Sequence, residues 1–207
     1  MNRQIELAYK IALLYEGEKE IPGSKNNPNI VDFHKATTLR ATDDETPHCA
    51  SAMNFMQIQA CLIINPGLTT RCLANRGMDK DIPCFLEHAI RNCEELNLKS
   101  ELHSLKFCDY TKNKNQLSNG LQIELPTFSA LARSFEKFGV ATDMPEIGDV
   151  VVFSRRSDNS GSGHVGWWSG WSGNENRSVY CYGSNQSNNF CFANYEIERV
   201  ISYRTLK

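Results

Sequence analysis

Beyond Gly148 the chain breaks into five short runs of β-forming residues, 149–153, 164–169, 178–183, 189–194 and 199–204, separated by clusters of Gly, Ser and Asn. Such clusters read as hairpin turns, and hairpins join antiparallel neighbours. Ahead of Gly148 the apolar residues recur at helical spacing instead. Helices first and strands afterwards define an α+β domain, with N-terminal helices packed on a C-terminal, mainly antiparallel sheet. At 207 residues the chain has the size of one globular domain, and no internal repeat or Pro-rich linker divides it.

The helical half carries its own punctuation. Ile5, Ala8, Tyr9, Ala12 and Tyr15 share one face and Gly17 stops that helix. The Asn27-Pro28 pair caps a second one running toward Lys35, with Ile30, Val31, Phe33 and His34 on its buried side. Thr46 and Pro47 predict the next start, as N-cap and first helical residue, which puts Cys49 in the first turn ahead of Met53, Met56 and Ile58. Further on, 81–98 is helical, with Phe85, Ala89, Cys93 and Leu96 at compatible spacings, and the polar stretch 109–120 is a loop. Thr127 caps a last helix with Phe128, Leu131, Phe135 and Phe138 along one face, closed by Gly139.

A net charge of -2 with 41% hydrophobic and 22% charged residues excludes a polyanion-binding or disordered chain, so no nucleic-acid partner is expected. The apolar run Ile11 to Tyr15, flanked by Lys10 and Glu16, is too short to enter a bilayer or serve as an export signal. The expectation is a monomer made in the cytoplasm without a signal peptide, and any target outside the cell requires its release or delivery. In a reducing compartment the eight cysteines stay free thiols; an oxidising one leaves disulfides open.

A thiol attacks carbonyls as thiolate, which the unpaired N–H groups of a helix N-terminus stabilise. Cys49 has that placement; its bland alternative is a small buried packing residue. His164 enters a strand from a Gly-rich turn and shares a face with Gly166 and Trp168, which suits a cleft beside an imidazole base. A base of this kind needs its second nitrogen held by an acceptor, and Asn185, one strand later, offers a carbonyl oxygen, although a turn asparagine is as ordinary there. Gln186 is a second polar candidate, with Trp167, Trp168 and Trp171 as candidates for a substrate groove, at least one of them core. The acidic run Asp43 to Glu45 complements a helix dipole. His48 adjoins Cys49 in sequence and therefore does not face it, which leaves His164 as base.

Six blocks follow one another in order: Ile21-Pro22-Gly23-Ser24-Lys25-Asn26-Asn27-Pro28, Asp43-Asp44-Glu45-Thr46-Pro47-His48-Cys49, Ala130-Leu131-Ala132-Arg133-Ser134-Phe135, Gly148-Asp149-Val150-Val151-Val152-Phe153, Gly163-His164-Val165-Gly166 and Gly183-Ser184-Asn185-Gln186-Ser187-Asn188. Together they resemble a phage-associated branch of the CHAP and NlpC-type cysteine peptidases. The resemblance implies a papain-like fold, the peptide part of bacterial peptidoglycan as substrate, no cofactor, and Cys49, His164 and Asn185 as the site. It implies a phage lysin-like murein amide hydrolase acting through a thioester. The alternatives are an injected antibacterial amidase effector, a catalytically silent wall-binding module, or a transamidase. The chain departs from the family at His48, where relatives carry Trp, and at Ala50-Ser51-Ala52. It also carries an insertion at about 61–125, read as a helical cap at the cleft that a short linker could replace without unfolding the protein. Cys84 and His88, four apart within it, have the spacing of helical metal ligands, but no Cys-x-x-Cys pair accompanies them and no metal is expected.

Overall fold

The computed structural model describes residues 2–106, 123–155, 162–173 and 177–207. Six helices precede a six-stranded sheet among these residues, an α+β arrangement as the sequence predicts. The helices are α1 (Arg3–Leu13), α2 (Pro28–His34), α3 (Cys49–Ile64), α4 (Pro66–Asn75), α5 (Ile82–Glu95) and α6 (Lys99–Lys106). The strands are β1 (Val140–Ala141), β2 (Val150–Ser154), β3 (Gly163–Ser172), β4 (Ser178–Gln186), β5 (Asn189–Glu196) and β6 (Val200–Thr205). They lie in the order β1-β6-β2-β3-β4-β5, and every pairing is antiparallel. No helix among the described residues is long and apolar enough to cross a membrane.

Local chemistry accounts for the helix starts. Asn2 accepts from the Gln4 N–H at 2.8 Å, and Asn27 Oδ1 accepts from the Asn29 N–H at 2.9 Å with Pro28 in the first turn. The third helix starts later than predicted. Asp43 Oδ1 accepts both the N–H and the hydroxyl of Thr46, at 2.8 and 2.9 Å, so Thr46 is held in a turn and cannot cap. His48 is the N-cap instead, without a side-chain bond to the helix, and Cys49 is the first helical residue.

Helix α3 is the axis of the molecule. All its residues except Ile64 are buried, so it is packed on every side rather than along one stripe. Two of its polar side chains are tied to neighbouring segments: Gln57 accepts from Gln4 Nε2 at 2.9 Å, and Asn54 accepts the Phe128 N–H at 2.7 Å while donating to Ser129 O at 2.8 Å.

That last contact explains a second correction. Phe128 has a left-handed backbone (φ 58°) with its N–H given to Asn54, and the Thr127 hydroxyl pairs with Ser134 Oγ at 2.7 Å, so the segment runs as a turn. Only a 3-10 helix, Ala132–Lys137, forms there; Phe135 and Phe138 are buried but Leu131 is 68% exposed.

Helices α4 to α6 also differ from the expected removable cap. Leu73, Ile82, Phe85, Ala89, Cys93 and Leu105 belong to the same buried cluster as α1, α3 and the inner sheet face. They join α3 at its far end: twelve residues separate Cys49 from Cys61, ~18 Å at about 1.5 Å per helical residue. The predicted loop at 109–120 lies outside the described residues.

Strand alternation divides the sheet. Val150, Val152, Val165, Trp167, Tyr182 and Phe190 join the helical core. Val151, Phe153, Trp168, Val179 and Cys181 form a second cluster, completed by Tyr195, Val200 and Tyr203.

Candidate active site around Cys49 and His164

Cys49 is buried at the first position of α3. Burial pushes its thiol above the ordinary range, against the N–H of Val165, the charge of Arg155 and the N–H groups of Ala50 and Cys49 itself, all of which favour the thiolate. The sulfur is therefore a neutral thiol at rest, inside a set of donors suited to an anion.

His164 lies opposite Phe153 of β2, and the two side chains share a face of the sheet. Its ring stacks on Tyr195, with centroids 5.3 Å apart, and on Phe153 at 6.1 Å. Of the two nearby glycines, Gly183 adjoins the ring and Gly166 is required by the close approach of β4. A Cβ on Gly183 would lie 3.6 Å from His164 Nε2, and one on Gly166 would lie 2.5 Å from Cys181 Sγ and 2.7 Å from Tyr182 O, too close for any side chain. Burial, then the charge of Arg155, lowers the imidazole to about 3, so it is neutral near pH 7, the form a base requires.

The polar group beside the imidazole is Gln186. Its carboxamide favours the His164 cation, while its Nε2 donates to Gly183 O at 3.1 Å and to Cys191 O. Neither Gln186 Oε1 nor His164 Nε2 completes a hydrogen bond. Asn185, the expected orienter, has a left-handed backbone (φ 61°) and is half-buried, and no hydrogen bond joins it to His164. The cause is the shift in β4–β5 register between Gly183 and Gln186, which breaks the alternation and turns Gln186 inward. Gln186→Ala is expected to lower turnover on the order of tenfold, a fraction of the ~10²–10⁴ that acid–base catalysis contributes, and Asn185→Ala to lower it less. Equal losses in steady-state assays of the two variants would reject this order.

Cys49 and His164 approach β3 at successive residues, the thiol beside the Val165 N–H and the imidazole stacked on Tyr195, and no hydrogen bond links them. Trp167 is wholly buried against Phe190 and Tyr182, which corrects its reading as a substrate contact. Trp168 is buried in the second cluster with its ring edge on Trp171, whose 39% exposure makes it the accessible one of the three.

A second group of polar residues, not predicted as a unit, surrounds the start of α3. His48 pairs through Nδ1 with Ser184 Oγ, and its Nε2 lies 3.4 Å from Glu20 Oε1. His34 Nδ1 pairs with Ser51 Oγ at 2.9 Å. The residue types were visible in the sequence, but their meeting depends on β4 reaching the helix start. Burial lowers His48 to about 4 and also lowers His34. These histidines and His164 are neutral when folded but take up protons below about pH 6.5 when unfolded, so protonation favours the unfolded chain. Stability is expected to fall as the pH drops from 6.5 toward 4; urea midpoints that stay level across that range would contradict the burial of three neutral imidazoles.

Asp32, Cys84 and His88 place their potential ligand atoms within 4.8 Å of one another, the Cys84–His88 spacing being the one the sequence displays. Cations already serve these donors. Lys35 Nζ lies 2.6 Å from Asp32 Oδ1 and 3.4 Å from Cys84 Sγ, and Arg91 lies 2.7 Å from His88 Nδ1. The seven cysteines in the described residues are free thiols, and Cys108 lies outside them.

No family model, curated protein or solved structure matches this chain.

Proposed function

We propose that the protein is a papain-like cysteine hydrolase that cuts an amide bond in the peptide part of bacterial peptidoglycan. The observation that carries the reading is the Cys49 thiol at the first position of a buried helix, among backbone N–H groups, beside the strand that bears His164. In this reading His164 takes the thiol proton as sulfur attacks the carbonyl. The N–H groups of Ala50 and Val165 stabilise the negative charge that develops, and His164 returns the proton to the leaving amine. Water then releases the acid from the thioester. The imidazole must turn toward the sulfur for this to occur, and hydrogen bonds of this kind often tighten only when substrate is bound. Gln186, whose carboxamide favours the imidazolium, is the polar neighbour of the base, and Trp171 is the aromatic side chain open to a ligand.

The missing Cys49–His164 hydrogen bond favours a second reading, a wall-binding module that keeps the cleft without turnover. Purified sacculi separate the two. The hydrolase releases soluble muropeptides whose masses locate the cut bond, whereas the binding module sediments with sacculi and releases none. Delivery as a phage lysin or as an injected effector is compatible with either outcome.

A further inference from the structure

Helix α3 meets the sheet mostly through apolar side chains, and apolar packing has no direction that would fix how its first turn is set. One hydrogen bond supplies that direction. Besides the contact of the Cys49 sulfur with the Val165 N–H, the His48–Ser184 pair is, among the described residues, the side-chain hydrogen bond that ties the start of α3 to the sheet, across 136 positions of chain. The bonds that Ser51, Asn54 and Gln57 make outside α3 go to His34, to 127–129 and to Gln4. His48 is wholly buried and Ser184 is 1% exposed, so water does not compete for either group.

Both ends of this bond sit beside the candidate chemistry. His48 immediately precedes Cys49, the first helical residue. Ser184 immediately follows Gly183, where a Cβ would lie 3.6 Å from His164 Nε2, and stands two residues before Gln186. Along β4 it shares the helix-facing side with Tyr182. It also falls inside the β4–β5 register shift: Gly183 pairs with Cys191 and Gln186 with Asn189, which leaves Ser184 and Asn185 out of the described pairing. A bulge of this kind loses ladder bonds and needs another restraint to keep one shape.

We infer that His48 and Ser184 are positioning residues: their hydrogen bond holds the Cys49 sulfur at a fixed spacing from the β4 bulge that brings Gly183 and Gln186 to His164. The catalytic consequence rests on the hydrolase reading; the placement of the thiol does not. Neither residue supplies charge. Burial and the charge of His34 hold His48 at about 4, so its imidazole is neutral near pH 7, and a serine hydroxyl is neutral throughout. The pair therefore acts through geometry. Geometry is what the thiol depends on, because the Val165 N–H and the first N–H groups of α3 oppose the effect of burial only while the helix start and the sheet stay in contact.

The test is a double-mutant cycle of His48→Phe, Ser184→Ala and both together, each shown to be folded by urea denaturation. Where His48→Phe fails to fold, Ser184→Ala, which removes a single oxygen, carries the test alone. Iodoacetamide modifies the thiolate, and mass spectrometry of the Cys49 peptide follows its rate from about pH 6 to about pH 10, the range in which thiols titrate. The midpoint is expected to rise by about one pH unit in Ser184→Ala, and by no more in the double variant, because the two residues act as one unit. Looser packing alone would raise the plateau rate and leave the midpoint in place. Release of muropeptides from sacculi is expected to fall at least about tenfold in the same proteins, since misplacing a reacting group by about 1 Å costs as much as ~10²-fold. An unchanged midpoint in Ser184→Ala, additive shifts in the cycle, or a wild-type Cys49 that the reagent does not modify overturns the inference. A wild-type protein that releases no muropeptides, with a midpoint that still depends on Ser184, removes the hydrolase and leaves the positioning of the thiol standing.

Discussion

Cys49→Ala is expected to eliminate release of muropeptides from sacculi, a loss of at least ~10⁴-fold, while leaving the fold unchanged. The residue is buried but small, and the substitution removes one sulfur from a helix anchored along its length by neighbouring side chains. The other described cysteines lack its surroundings. Cys61 and Cys93 are buried thiols pushed far up by desolvation, to about 12 for Cys93, and Cys181 is raised well above the usual thiol range in the second cluster. Among the described cysteines, only Cys49 has helix N-terminal N–H groups and the Val165 N–H working to lower it. His164→Ala should be nearly as damaging. Undiminished release by Cys49→Ala, measured on the same sacculi, would remove Cys49 as nucleophile and with it the thioester mechanism.

Phe85→Ala is expected to destabilise the protein by ~3–5 kcal/mol, a large part of the ~5–15 kcal/mol that holds a typical domain together. Phe85 is wholly buried, with its ring 5.8 Å from that of Phe55 on α3, and Phe55 in turn packs against Phe33 and His88. Replacing 62–124 by a short linker should leave no cooperatively folded protein, because it strips α3 of Leu62, Ile63, Leu73, Ile82, Phe85, Ala89 and Cys93 together. Urea denaturation of the point variant and calorimetry of the deletion check this. A sharp, native-like unfolding transition in the deletion would restore the detachable cap that the sequence suggested.

The five strands were legible because alternation and hairpin residues are local signals, and Asn27 and Pro28 announced α2 for the same reason. The segment after Thr127 was not. Its pattern is helical, but Asn54, seventy-four residues away, takes the Phe128 N–H that a helix needs. At the site, the sequence marked Cys49 by its helix start and His164 by its glycines. It pointed to Asn185 as the polar neighbour of the imidazole, whereas the left-handed Asn185 shifts the alternation by one residue and brings Gln186 there, a backbone choice that Asn permits but does not announce. Trp167 was read as a ligand contact because a strand pattern says which residues share a face, not which face is covered.

The burial of α3 on every side also divides the work between the two halves of the molecule. Local opening of a helix so enclosed amounts to losing the whole core, so the sulfur it carries is a fixed reference point. In the hydrolase reading, adjustment to a substrate then falls to the other side of the pair: an imidazole stacked on Phe153 and Tyr195, with Nε2 tied by no hydrogen bond. Selection for a new substrate would be expected to alter β3, β4 and the turn beyond them, and to leave the helix unchanged.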